Sequence, residues 1–204
     1  MKLVAGVYDY LNWQKIYELR RRYADFCLMV GRLAQDKKQE TLIHAFHILK
    51  TKYGIDKKLI LLGDGSERER LTRTVSELKL EKNIIFEGNH PDIDNYYMAA
   101  YLYLHSAQLE GFGMAYVEAM NFALPVVSTD AIPGAREILG NNDFGIICEN
   151  DNPDMIAKMI FDFYTNKNMY DFYSAKSCER LRDFTVNKTK KKVLEYISDV
   201  TKHV

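Results

Sequence analysis

Residues 58–88 read "KLILLGDGSERERLTRTVSELKLEKNIIFEG", and the pattern of this stretch decides the architecture. An apolar run of strand length, LILL, closes on Gly63-Asp64-Gly65. The following SERERLTRTVSELKL reads as a helix, with Ser66 and Glu69 spaced as a capping box. NIIFEG then returns to strand character. A strand, a helix and a strand at this spacing form a parallel unit rather than a hairpin.

The same alternation continues in both directions. Upstream, FCLMV at 26–30 is a buried strand closed by Gly31, and RLAQDKKQE is a polar loop. In TLIHAFHILKTKY, Leu42, Ala45, Phe46 and Leu49 recur at helical spacing. Residues 8–22 precede the first strand as a lead-in segment with one amphipathic helix. Downstream, DIDNYYMAA is a short helix, YLYLHS a strand, GMAYVEAMNFA an apolar helix and LPVVSTD a strand. A turn at Pro133-Gly134, a short REIL helix and a sixth strand, FGIIC, follow. Asn152 caps a helix that has Pro153 at its first position. From there only helices are predicted, over 153–166, 168–184 and 187–203. The expected fold is α/β: a Rossmann-like doubly wound parallel sheet of about six strands with extra C-terminal helices. In such sheets ligands bind beyond the carboxyl ends of the strands, where the glycine-bearing segments of this chain fall.

A chain of 204 residues with 47% hydrophobic content suits one globular domain. Twenty-eight basic residues balance 28 acidic ones, so no global field argues for nucleic acid or an anionic membrane. Runs such as Arg20-Arg21-Arg22 and Lys190-Lys191-Lys192 read as solvated helix faces. Cys27, Cys148 and Cys178 lack CxxC spacing and imply a reducing compartment. MKLVAGVYDYLNW is too short and polar for a signal peptide, and no run reaches the length of a bilayer span. The expected location is the cytoplasm.

Candidate chemistry centres on LEGFGMAYVEAMNFALPVVSTD, residues 109–130. Glu118 sits past the first turn of an apolar helix, too deep to cap it, and a buried carboxylate needs a partner in the protein or in a ligand. Glu110 precedes the helix, where the dipole favours an anion. GFGMA offers small residues that let phosphates approach the free amides of 112–115. The loop VGRLAQDKK places Arg32 and Lys37 or Lys38 after a strand, a fork and a point charge suited to a diphosphate. GDGSER reads as a tight structural turn. Asp92-Ile93-Asp94 spells a D-x-D, but Asp92 as N-cap and Asp94 in the first turn account for it without a metal. His105, at a strand end, reads as a hydrogen-bonded core residue. No Walker sequence, HxxxH spacing or G-x-S-x-G elbow occurs.

In order, VGRLAQDKK, LILLGDGSERERL, NIIFEG and EGFGMAYVEAMNFALPVVSTD resemble the C-terminal, donor-binding half of retaining GT-B glycosyltransferases of family 4, over about residues 8–165. Their spaced glutamate pair is matched by Glu110 and Glu118. The resemblance implies that Glu110 holds hydroxyls of the donor sugar and Glu118 those of the ribose. It also implies that Arg32 and Lys37, after Gly31, neutralise the departing diphosphate. Amides of Gly111, Phe112, Gly113, Met114 and Ala115 then cradle the same charge, and Asn89 and His90 contact the base. The catalytic set is thus Glu110, Arg32 and Lys37. No metal or cofactor is implied, and configuration is retained. Lys38 and Ala123 stand where the family commonly has glycine.

The resemblance starts near the family's interdomain linker, so residues 1–24 are expected as interdomain linker and lead-in helix, 25–204 as the nucleotide-sugar-binding domain, and the N-terminal acceptor domain is expected to be absent from this chain. The final helices are expected to cross back toward that domain, supplied in cis or in trans. The implied activity is transfer of a hexose to a glycan or lipid-linked acceptor in surface polysaccharide, lipopolysaccharide or glycoprotein glycan synthesis, inactive without the other half. A peripheral contact with the inner membrane face is compatible with it. TDAIPGAREIL is most similar to users of uridine-diphosphate sugars, with a guanosine donor as the alternative. The rival readings are a nucleotide-sugar-binding module without turnover and a sugar-nucleotide epimerase half-domain.

Overall fold

The apolar runs of the sequence become strands lying side by side in one direction. A computed structural model describes residues 12–185 together with 187, 188, 190 and 194. Its central sheet comprises β1 (Cys27–Val30), β2 (Leu59–Leu62), β3 (Ile84–Gly88), β4 (Leu102–His105), β6 (Val126–Thr129) and β8 (Ile146–Cys148). Two short pieces, β5 (Leu109–Glu110) and β7 (Ile132–Pro133), pair separately. The six strands are ordered β3-β2-β1-β4-β6-β8 and every pairing is parallel. The chain winds outward from β1 to β3 and then outward on the other side from β4 to β8. The order therefore reverses between β1 and β4, which opens a crevice at their carboxyl tips. The Rossmann-like doubly wound sheet expected from the sequence is present.

Alternate residues on each strand feed two helical layers. Leu28, Ile60, Leu62, Tyr103 and Val126 pack with α1 (Trp13–Tyr23), α4 (Ile93–Ala99), α5 (Met114–Asn121) and α6 (Gly134–Leu139). Cys27, Met29, Leu59, Leu61, Leu104 and Val127 pack with α2 (Gln39–Tyr53), α3 (Arg68–Glu77) and α7 (Pro153–Thr165). Coverage on both faces is why these strands read as unbroken apolar runs. Each fully buried Leu or Phe contributes roughly 1.5–3 kcal/mol. The lead-in helix α1 adds Ile16, Leu19 and Tyr23 to the core. Cys27 and Cys148 are buried free thiols, pushed up to about 12 by that burial, so neither is a nucleophile at neutral pH.

Helix ends follow the sequence with two corrections. Asn152 caps α7 by accepting from the Met155 amide at 2.9 Å, with Pro153 first in the helix. The capping box at Ser66 and Glu69 does not form: α3 starts at Arg68 and has no side-chain cap. The Glu67 amide donates instead to Leu33 O, 3.0 Å away, which delays the first helical turn. Asp92 precedes α4 without a side-chain capping bond, and its amide donates to His90 Nδ1 at 3.4 Å.

The predicted 168–184 helix is α8 (Lys167–Leu181) followed by a 3-10 turn at Arg182–Phe184. It docks on this chain: Ser174 and Ser177 hydroxyls donate to the carbonyls of Ala123 and Leu124, and Arg180 Nε donates to Ile138 O. The 187–203 helix and the lysine run at 190–192 lie largely outside the described residues. Among the described residues, no helix is long and apolar enough to cross a membrane.

Candidate functional site

The loops after β1 and β2 meet beside the reversal point, at the tips of β1, β2 and β3. A Cβ on Gly63, where φ is +136°, would lie 2.1 Å from Gly31 O, and one on Gly65 would lie 2.3 Å from Leu33 O. Glycine is thus required at both places for backbone to pass backbone, and GDG is the structural turn read from the sequence. The Gly31 amide donates to Leu62 O and the Leu33 amide to Asp64 O, which ties the loop after β1 to that turn. Between them opens a cleft of about 240 Å³ lined by Gly31, Arg32, Gly63, Asn89, His90 and Ile93, among others. Four of the residues selected from the sequence, Gly31, Arg32, Asn89 and His90, therefore share one wall. Among the described residues, no carboxylate pairs with the exposed Arg32 guanidinium.

The rest of the loop is pinned beneath β4. Gln39 Nε2 donates to Arg32 O and Ser106 Oγ donates to Lys37 O, both at 2.7 Å. Lys38 adopts the left-handed conformation, φ 50°, that glycine takes at no steric cost. The loop thus keeps its geometry without the glycine, at a strain of about 1 kcal/mol. Ala123, the other departure, likewise sits at φ 56°.

This pinning delivers Lys37 to Glu110. Lys37 Nζ donates to Glu110 Oε2 at 2.6 Å, with side chains 15% and 20% exposed. His105 Nε2 lies 3.2 Å from the same oxygen but off the axis of a hydrogen bond. The adjacent imidazole, and then the Lys37 ammonium, hold the Glu110 carboxyl down at about 2 against the opposing effect of burial. Burial in turn lowers His105, with Glu110 opposing, so the ring is neutral at pH 7. His105 is buried and hydrogen-bonded through Nδ1 to Tyr103 as expected, while Nε2 is left toward Glu110 without a hydrogen bond.

Glu118 corrects a sequence expectation. It is half-buried rather than sunk in the apolar core, and Oε2 accepts from Tyr97 OH at 2.9 Å. Of the two partners that the sequence left open, a group of the protein or a ligand, the protein supplies one in the Tyr97 hydroxyl. Tyr97 is buried one turn beyond Ile93, a residue of the cleft wall, and Glu118 itself is not among the residues that line the cleft. Gly113 is the N-cap of α5 at φ 80°, without any side-chain cap, so the first-turn amides at Met114 and Ala115 remain available. Gly111, Phe112 and Met114 are exposed, with Phe112 edge-on to Phe184 at 5.6 Å.

Sequence reasoning missed Tyr97, which carries no local signal because its contact crosses from α4 to α5. It also missed the β5–β7 ladder, where Glu110 registers with Pro133. The Asp130–Arg136 fork spans that ladder's second strand, with Arg136 Nε and Nη2 on the two carboxylate oxygens at 2.8 and 2.5 Å. An acid and an arginine bracketing Pro133-Gly134 was the available clue. Among the described residues, no three His, Cys, Asp or Glu converge as a metal site.

Comparison with known proteins bears on this arrangement. Residues 18–182 match the family model described as glycosyl transferases group 1. The chain belongs to this family. This group 1 glycosyl transferase chain is 30% identical over 172 residues to the Campylobacter jejuni N-acetylgalactosamine-N,N'-diacetylbacillosaminyl-diphospho-undecaprenol 4-alpha-N-acetylgalactosaminyltransferase, covering 84% of this chain and 46% of that protein. It is 29% identical over 161 residues to a Haemophilus influenzae glycosyltransferase, of which it covers 45%. The chain therefore spans somewhat less than half the length of these relatives.

Among solved structures, Anabaena HepE in complex with UDP superposes with a TM-score of 0.80 at 24% identity, over 93% of this chain and 54% of that one. The C-terminal domain of the group 1 glycosyl transferase LpcC from Francisella tularensis superposes with a TM-score of 0.72 at 22% identity, over 85% of this chain and 92% of that domain. These likenesses establish the fold, that of one half of a GT-B glycosyltransferase.

Proposed function

We propose that this chain is the donor-binding half of a retaining hexosyltransferase that uses a UDP-sugar. The observation that carries the reading is the Lys37–Glu110 pair, which ties the loop after β1 to the segment after β4; the same β1 loop puts Arg32 on the cleft wall, without a carboxylate partner among the described residues, and the uncapped start of α5 follows Glu110 in the chain. When an acceptor hydroxyl displaces UDP from the anomeric carbon, negative charge builds on the diphosphate. Arg32, Lys37 and the amides of Met114 and Ala115 meet that charge with fixed positive ends, the largest single term in most such catalysis. Glu110 takes hydroxyls of the sugar, and Glu118, beside Tyr97, takes those of the ribose. Asn89 and His90 provide the wall for the base. These cations serve in place of a metal.

Relatives support the finer points. Solved neighbours carry UDP, UDP-glucose or UDP with GlcNAc. Three relatives are named for alpha linkages, which are what retention of a UDP-hexose's α configuration yields. The Campylobacter jejuni relative's diphospho-undecaprenol acceptor favours a lipid-linked glycan as acceptor here, met at the inner membrane face from the cytoplasm. The acceptor site and turnover require an N-terminal domain in cis or in trans.

Calorimetry of the chain with UDP, UDP-hexoses and GDP in EDTA tests the reading. UDP is expected to bind more tightly than GDP, and silence toward all of them overturns the proposal. If Glu118→Ala binds UDP as tightly as the parent, the ribose role is wrong.

A further inference from the structure

Among the described residues, the buried side-chain atom left without a hydrogen bond is Nε2 of His105. The ring is 3% exposed, and Nε2 lies 3.2 Å from Glu110 Oε2 without a hydrogen bond to it. An orphaned buried donor normally costs about 1–3 kcal/mol, so its retention at a ligand crevice calls for an explanation. Four groups face the ring. Tyr103 OH from β4 lies 3.4 Å from Nδ1, and the Tyr116 ring of α5 packs edge-on at 4.7 Å. Glu110 and Lys37 complete the set.

The carboxylate can only accept, so the ring proton belongs on Nε2, which leaves Nδ1 as an acceptor beside the Tyr103 hydroxyl, whose single proton Val30 O at 3.5 Å also competes for. Yet Oε2 is already taken: Lys37 holds it at 2.6 Å, and the imidazole stands beside that bond without sharing it. Among the described residues, no protein donor reaches Oε1.

We propose that His105 is a positioning residue that takes over Oε2 of Glu110 when a diphosphate draws Lys37 away, keeping Oε1 turned toward the donor's sugar hydroxyls. This rests on the nucleotide-sugar reading above. A diphosphate carries more charge than one carboxylate and competes for Lys37. It also repels Glu110, which would otherwise swing off once its cation left. A neutral N–H at 3.2 Å needs only a small rotation to hold the oxygen, and its burial prevents water from taking its place. The imidazole bond costs the donor nothing in competing charge, because the ring stays neutral.

Two measurements decide the matter. First, imidazole NMR of the ligand-free chain compares the parent with Lys37→Met. With the ammonium gone, an Nε2 proton sheltered from exchange and shifted downfield is expected on His105. Its absence in Lys37→Met overturns the hand-over. Second, calorimetry compares the parent, His105→Leu and His105→Gln, after circular dichroism shows that each is folded. His105→Leu is expected to weaken UDP-hexose about tenfold while changing UDP by less than about twofold, with His105→Gln recovering most of the loss. Equal losses for UDP and UDP-hexose, or none, overturn the proposal. A parent chain that binds no UDP refutes the donor reading instead, and the NMR comparison still decides whether His105 replaces Lys37 on Glu110.

Discussion

Replacing Gly63 with alanine is expected to unfold the chain at markedly lower temperature and to damage the cleft together. The new Cβ would stand 2.1 Å from Gly31 O and 2.8 Å from Gly31 C, and both are backbone atoms that no rotamer change can move. The φ of +136° adds a conformational penalty of about 1–2 kcal/mol for an L-residue. Forced separation of the two loops adds roughly 1–3 kcal/mol, by analogy with overpacked cores. A total near 4 kcal/mol lowers the melting temperature of a chain this size by about 10 °C. Gly54→Ala is the control, since its φ is +68° with nothing within 4 Å of the added atom. It carries the conformational penalty alone and is expected to lose about 4 °C. Calorimetric melts and UDP affinity give the readout: Gly63→Ala moves the Arg32 loop and weakens UDP, whereas Gly54→Ala does not. A Gly63→Ala protein that melts no lower than Gly54→Ala would refute the close-approach argument.

Three other outcomes are expected. Arg32→Ala is expected to weaken UDP about tenfold or more with little change in melting temperature, because the proposed donor site gives the guanidinium a diphosphate to hold and no carboxylate among the described residues pairs with it; an unchanged affinity removes it from the site. Glu110 contributes stability that is present above its unfolded value near 4.5 and is lost as pH falls toward its folded value of about 2. The shift corresponds to about 3 kcal/mol, reduced to about 1–2 kcal/mol by solvent screening of a partly exposed pair. Denaturant unfolding of Glu110→Gln is expected to fall short of the parent by that amount at pH 7 and to approach it by pH 3, so a gap that ignores pH contradicts the assignment. Asn152→Ala removes the cap of α7 and lowers stability by about 1 kcal/mol in the same assay, where no change would mean that the Met155 amide finds water equally well.

The sheet was legible because β1 and β2 are covered on both faces and so must be apolar without interruption. Gly31, Arg32, Asn89 and His90 were legible as a group because each follows a strand, and strand tips converge. What escaped depended on contacts between elements. Glu118 looked stranded because its partner, Tyr97, lies in another helix, and because apolar composition at Met114 and Val117 suggested deep burial. Met114 is in fact 59% exposed at the mouth of the site. The start of α3 moved because Glu67 spends its amide on Leu33, a bond no local pattern encodes. Lys38 and Ala123, which departed from the expected glycines, both occupy positive φ, so the family preference there was a statement about backbone shape.

The C-terminal segment grips α5 like a yoke. Ser174 and Ser177 hold the carbonyls just beyond its last turn, while Phe184 leans on Phe112 just before its first. Eight residues, about 12 Å of rigid rod, lie between those two grips. Displacing α8 is therefore expected to shift the rod as one piece, and with it the first-turn amides of Met114 and Ala115. A chain clipped ahead of Ser174 would keep its sheet yet lose the tension that sets where those amides stand.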